Sequence, residues 1–358
     1  MMSSGIGERL KMARHMATLT QDALAERVPV SKMAISKYEN EQITPSSDVL
    51  IALARALGQP IEFFLRGPMV ATVQPVYRGK AALRKKKNED VITAQLQEWL
   101  ERYLVVEGLF PDVSPGFAYP AGFPVRVSSL EEVEEAAEAL RKAWQLGDNP
   151  IDNLTELLEE QGIRVGLVDG NDHFDACLFE LEDGSPVMAV KQDIPGDRQR
   201  FSLAHELGHL MLEVAETLKD EDAANRFAGA FLVPGQAVLY ELGPVRRHLD
   251  TLELHLLKHK YGVSMQTWAF RARALGILDD KAFQSFWKEV NRKKWREQEP
   301  GDPFPPEKPQ RLVRLVLRAL SEEVIGRARA AELLGMPWVE FVEQQRQQHG
   351  EDLIAVRA

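Results

Sequence analysis

At 358 residues the chain is longer than one typical domain and has room for two or three, each with its own core. Apolar residues make up 44% and charged residues 27%, which excludes a disordered or fibrous protein, and no apolar run approaches the roughly 20 residues of a membrane span. The net charge of -10 divides unevenly: residues 1–87 hold 14 Lys and Arg against 7 Asp and Glu, or +7, leaving -17 for the remainder.

A basic front on an acidic back is the electrostatic footprint of nucleic-acid binding, because neutralised phosphates release their counterions. The opening stretch "MMSSGIGERLKMARH" lacks a hydrophobic signal core, so a cytoplasmic location is expected. The single cysteine, Cys177, excludes an internal disulfide and a multi-cysteine zinc knuckle. Any bound metal must be held mainly by histidine and carboxylate.

Residues 5–66 read as five short helices. "TLTQDALAERV" offers Thr20 as an N-cap, "VSKMAISKYENEQ" offers Ser31, and "TPSSDVLIALARALGQPIEFFL" places Leu50, Leu53, Ala54 and Leu57 on one face before Gly58 and Pro60 stop it. "RGPMVATVQPVYRGKAALRKKKNED" is a basic linker whose Arg84, Lys85, Lys86 and Lys87 are either a solvated charge run or phosphate contacts. From residue 91 helix spacing returns with Ile92, Leu96, Trp99, Leu100, Tyr103 and Leu104. "FPDVSPGFAYPAGFPVRV" is rich in proline and glycine and is expected to cross the surface outside any regular element. "SSLEEVEEAAEALRKAWQLG" is a helix with a serine start, "NPIDNLTELLEEQGIRVGLVD" reads as helix then strand, and "FDACLFELEDGSPVMAVKQ" as two strands joined at Asp183-Gly184. A Pro-rich connector and a helical pair with Leu312, Val316 and Ala319 on one face close the chain.

In "FSLAHELGHLML" two histidines stand four residues apart, one helical turn, so both imidazoles can reach one cation. Glu206, about 100° round the helix from His205, is placed to hold water as a general base rather than to ligate. Leu212 and Ala215 stand where a metzincin needs glycine and histidine, and Glu213, eight residues past His205, is about 12 Å away along the axis. The third ligand must therefore come from another element. "KDEDAANRFAGAFLVP" offers Glu221 and Asp222; Glu221 is favoured, with Asn225 one turn on as an amide supporting a ligand.

These two stretches, with the later "YGVSMQTWAFRARALGIL", resemble the ImmA/IrrE metallopeptidases over about residues 130–280, whose patterns are R-x-R-F-T-x-A-H-E-x-G-H and E-x-x-A-N-x-F-A-x-x-L-L-x-P. The resemblance implies zinc on His205, His209 and Glu221, Glu206 as catalytic base, and cleavage of helix-turn-helix repressors in stress, DNA-damage or mobile-element responses. Manganese would suit the same donors. Arg271, Tyr261 and His259 are candidates for steadying an oxyanion, and Cys177 is either core or a resting-state cap on the metal.

Likewise "LTQDALAERVPVSKMAISKYENEQITPS" resembles the lambda-repressor-like, or XRE, helix-turn-helix family. The resemblance places Gln21 on the phosphate backbone, puts Ser31, Lys32, Met33, Ser36 and Lys37 toward DNA, and turns Ile35 and Tyr38 inward. Pro29 stands where that family usually has glycine, which predicts a locally different turn.

The expected architecture is α+β and mostly helical, with four segments. Residues 1–67 form a five-helix DNA-binding bundle, 68–128 a linker and helix, 129–285 a zincin-like metallopeptidase domain with a small sheet, and 286–358 a connector and helical tail. Two functions fit: a metalloprotease tethered to an operator on double-stranded DNA and acting on a protein substrate, or a transcriptional regulator whose metal domain senses without cutting. A homodimer suits operator binding, and no membrane partner is expected.

Overall fold

The computed structural model describes residues 5–66, 86–113, 116–169 and 174–349. Arg84 and Lys85, the linker residues considered for phosphate contact, lie outside them, and the side chains of Lys86 and Lys87 are likewise not described. The fold is α+β and mostly helical. None of its described helices is long and apolar enough to cross a membrane.

Five helices form the N-terminal bundle: α1 (Ile6–Met16), α2 (Gln21–Ala25), α3 (Lys32–Glu39), α4 (Ser47–Leu57) and α5 (Ile61–Leu65). Thr20 caps α2 by accepting from Ala23 N–H, and Ser31 caps α3 by accepting from Ala34 N–H, so polar side chains begin both helices of the turn. Leu10, Leu24, Ile35, Leu53, Phe63 and Phe64 are the buried heart of the bundle. Between α2 and α3 the chain turns with no residue from 26 to 31 at positive φ. Instead Val30 N–H donates to Val28 carbonyl at 2.8 Å, a three-residue turn centred on Pro29. Proline's fixed φ suits that centre, so the turn that favours glycine in the XRE pattern is replaced rather than strained.

The chain then enters α6 (Lys86–Gly108), which starts five residues earlier than its apolar spacing suggests. By internal contacts this helix belongs with the bundle. Arg9 of α1 is buried against it, its guanidinium 2.6 Å from Glu101 and 3.6 Å from Glu98.

The second compact unit, whose described residues begin at 116 and run to 309, follows. Its elements are β1 (Val125–Val127), α7 (Leu130–Ala143), α8 (Leu154–Glu160), β2 (Arg164–Val168), β3 (Ala176–Glu180), β4 (Pro186–Lys191), α9 (Gly196–Met211), β5 (Leu212–Val214), α10 (Asp220–Leu232), α11 (Gly235–Leu242), α12 (Thr251–Tyr261), α13 (Met265–Ala274) and α14 (Asp280–Arg292). A three-stranded sheet has the order β2-β4-β3, with β2 parallel and β3 antiparallel to β4. The β3–β4 hairpin is turned by Gly184 at φ 80.

A second, two-stranded sheet pairs β1 in parallel with β5. This corrects two expectations. The Pro- and Gly-rich segment does end in a regular element, and the histidine helix stops at Met211, so Glu213 lies on a strand. Parallel pairing of segments some 85 positions apart leaves no periodic trace in a three-residue strand.

Helix α9 lies over β3 and β4 on one side and packs closely on α10 on the other. Gly208 makes that approach possible, because a Cβ there would stand 3.2 Å from Ala224 Cα and 3.2 Å from the Phe227 ring. The connector 303–307 is bound along the first half of α9. Gly196 N–H donates to Phe304 carbonyl at 2.9 Å, Gln199 exchanges two hydrogen bonds with the Glu307 backbone, and buried Arg200 pairs with the Glu307 carboxylate. A Cβ at Gly196 would overlap Pro305 carbonyl, so the segment needs glycine at that point.

Beyond residue 309 the chain returns to the first unit with α15 (Arg311–Ser321), α16 (Arg327–Leu334) and α17 (Trp338–His349). Val316, Ala319, Ala330 and Leu333 share a buried cluster with Val106 of α6 and Phe110 just beyond it. The contacts thus group α6 with the tail and assign 286–309 to the second unit, where the sequence suggests four consecutive segments.

Candidate metal centre

Helices α9 and α10 bring His205, His209 and Glu221 together, with one donor atom from each lying within 4.8 Å of the others. The two Nε2 atoms are 3.0 Å apart, and His205 Nε2 is 3.4 Å from Glu221 Oε2. A tetrahedral cation with bonds of about 2.0–2.1 Å separates its ligands by about 3.3 Å, so this spacing suits one ion.

The far nitrogens argue the same way. His205 Nδ1 is 3.1 Å from the Asn225 amide oxygen, and His209 Nδ1 is 3.2 Å from an Asp220 carboxylate oxygen. Both partners only accept, so both Nδ1 atoms donate and each neutral ring presents a bare Nε2 lone pair. Two such lone pairs face each other at 3.0 Å, an arrangement that a cation between them relieves. Burial first, then the neighbouring His209, holds His205 below the usual imidazole range, which disfavours its protonated form.

Glu206 is not one of this trio but lies near enough to feel the charge of Glu221, and it accepts a hydrogen bond from Leu178 N–H of β3. Burial, reinforced by the charge of Glu221, raises its carboxyl to about 7 despite that bond. Asn225, one turn on from Glu221, meets His205. Asp220 and Leu178 N–H are partners that sequence reading misses: the run "DED" at the start of α10 hints at the first, and a backbone donor has no sequence signal.

Other candidates are drawn elsewhere. Arg271 donates to Val233 carbonyl at 3.0 Å and pairs with Glu134, Tyr261 hydroxyl donates to Glu241 at 3.0 Å, and His259 Nε2 is 3.2 Å from Asp302 carbonyl. Asp222 and Cys177 lie outside the metal-ligand cluster. Cys177 is buried in β3, and burial followed by the charge of Glu206 pushes its thiol far up, so it stays protonated.

In the bundle, α3 presents Ser31, Lys32, Met33 and Lys37 outward, with Met33 68% exposed, while Ile35 and Tyr38 are buried. Ser36 is half-buried, and its carbonyl accepts from the Asn40 amide. Lys32 pairs with Asp22 at 2.7 Å across the turn. Gln21 is also half-buried, its amide donating at 2.8 Å to Glu39, which Arg14 grips through two hydrogen bonds of 2.6 and 2.9 Å.

Comparison with known proteins finds one family match in each compact unit. Residues 7–70 match the profile of a helix-turn-helix domain, and residues 158–273 match a peptidase-family profile described as the IrrE N-terminal-like domain. The chain therefore joins an N-terminal helix-turn-helix domain of XRE type to an IrrE-like peptidase-family domain.

Among curated proteins it is similar to Repressor protein C2 of Salmonella phage P22, 34% identical over 67 residues, covering 19% of this chain and 31% of that protein. It is also similar to an uncharacterized transcriptional regulator in the ATPase CF(0) region of Rhodospirillum rubrum, 37% identical over 59 residues, 16% of this chain and 55% of that one. The matches thus span about a third and about half of those relatives. Among solved structures, Bacillus thuringiensis PlcR in complex with the peptide PapR7 and DNA aligns over 97% of this chain and 100% of that one, at 14% identity and a TM-score of 0.17.

Proposed function

We propose that this protein is a metal-dependent peptidase carried on an operator-binding module, and that it regulates transcription by cutting a helix-turn-helix repressor. The observation that carries the reading is the convergence of two bare imidazole nitrogens and a carboxylate beside a half-buried Glu206. His205, His209 and Glu221 would hold zinc or manganese with a coordination position left for substrate or water. Such an ion, when bound, supplies Lewis acidity for amide hydrolysis.

The protein's own part falls to Glu206. With one oxygen tied to Leu178 N–H, its carboxylate keeps the other for a proton, and a carboxyl raised to about 7 is matched to proton transfer near neutral pH. It takes the proton of the attacking water and returns it to the leaving amine. Asn225 and Asp220 keep the imidazoles in the tautomer that leaves Nε2 bare. In the bundle, α3 would enter the major groove through Ser31, Lys32, Met33, Ser36 and Lys37, with Gln21 near the backbone.

The test combines the purified full chain, loaded with zinc or manganese, with helix-turn-helix repressors encoded beside its gene, and reads new termini by mass spectrometry. Cleavage that disappears in Glu206→Gln, with metal retained, is the expected result. Repressors left intact under every metal and DNA condition would leave a regulator whose metal domain only senses.

A further inference from the structure

A cavity of about 1030 Å3 opens within the second unit, walled by α9, α10, α13 and the segment 295–303. That is at the upper end of small-molecule sites. The metal-ligand trio is not part of its wall, but Asn225, which holds His205, is.

The wall is cationic in a region of acidic chain. Six Arg and Lys side chains face four carboxylates, although residues 88–358 carry -17 in sum. On one side of the wall Arg226 of α10 and Arg271 of α13 converge on a single carboxylate oxygen of Glu134 of α7, so two guanidinium charges meet one negative charge. Arg271 is 2% exposed, yet its Nη2 has no hydrogen-bond partner. An anion in the cavity would supply the second negative charge that this pair of guanidiniums lacks.

The opposite end does not mirror this. Lys258 sits 3.1 Å from both Asp197 and Glu299, and the two carboxylates lie at the starts of α9 and α13, where helix dipoles offset their surplus charge. Between the ends stands an apolar shelf. Phe270 is 53% exposed and is backed by Phe283 and Trp287 at ring distances of 5.4 and 5.3 Å, with Phe201 also on the wall. A large aromatic left this open on a wall where Arg and Lys outnumber carboxylates offers a face for a ring.

We propose that this cavity binds a small anionic molecule with a flat ring, its phosphate or carboxylate on Arg226 and Arg271 and its ring against Phe270. The site is separate from the metal-binding trio and does not depend on peptidase activity. Through Asn225 its occupant would reach the residue that orients His205.

Titration calorimetry on the full chain tests this with two matched pairs of probes: adenosine monophosphate against adenosine, and indole-3-carboxylate against indole-3-carboxamide. At least one anion should bind tenfold or more tightly than its neutral counterpart, and which one does so identifies the anionic group. Phe270→Ala, at an exposed position, and Arg226→Gln, which leaves Glu134 paired with Arg271, should each weaken that binding tenfold or more. Equal binding of anion and neutral partner, or affinity that survives both cavity substitutions, overturns the proposal. Neither result bears on cleavage, which is read separately through Glu206→Gln.

Discussion

The candidate groups of the two regions are arranged in opposite ways. On α3 they spread outward: Met33 stands 68% exposed and Lys37 is in solvent, while the inward residues Ile35 and Tyr38 serve the core. At the metal centre they converge, and each is held from behind, His205 by Asn225, His209 by Asp220 and Glu206 by Leu178 N–H. The difference follows from what each would grip. A duplex is large and brings its own charge, so a solvated helix face suffices, whereas a single ion needs several donors fixed within a few ångströms. A supporting partner lost at the converging site should therefore cost more than a side chain lost at the spreading one.

The comparison breaks first at Glu206. Glu206→Gln should lower repressor cleavage by about a thousandfold or more, the scale of a lost general base, with metal content unchanged by elemental analysis. Next is His209→Ala, which should reduce bound metal from about one equivalent to near none in protein prepared without chelators. Asn225→Ala should then weaken metal affinity by about 10- to 100-fold by competition with a chromophoric chelator. If it binds metal as tightly as the parent protein, the support from behind is irrelevant and the contrast with α3 fails.

A stability measurement sharpens the same point. The Glu206 carboxyl lies at about 7 when folded, above its unfolded value, so the folded state favours the protonated form. Relative to a neutral side chain the contribution is nil below the unfolded pKa, where both states are protonated; stability is lost as pH rises from there through about 7, and the cost is constant beyond it. In chelator-treated protein Glu206→Gln should thus gain about 1–3 kcal/mol at pH 8 and nothing near pH 4, read as Tm across pH. The smallest effect is expected on the spreading face. Lys37→Ala should leave the fold intact and reduce the salt slope of operator binding by about one.

Local signals carried the bundle far. Thr20 and Ser31 begin their helices as side-chain caps, and Leu53 and Leu57 are buried as their spacing implies. At the metal centre the pairing of His205 with His209 was legible because both lie on one turn of one helix, and Glu221 with Asn225 because they too share a turn. Asp220 was not legible as a partner of His209, since three acids in a row at a helix start look alike until a neighbouring helix selects one. The β1–β5 pair and the strap of residues 303–307 on α9 join distant segments through backbone groups, which every residue carries and no sequence pattern marks.

Sequence by itself determined the helical punctuation, the basic front, and the presence of two imidazoles and a carboxylate at spacings fit for one ion. Only tertiary structure decided that α9 and α10 approach closely enough, across Gly208, for those donors to meet, and that burial raises Glu206 while Leu178 holds it. The physical reason is range. Caps and helical faces arise among residues a turn apart, whereas donor distances, desolvation and the cavity beside Asn225 arise where segments far apart in the chain exclude water together.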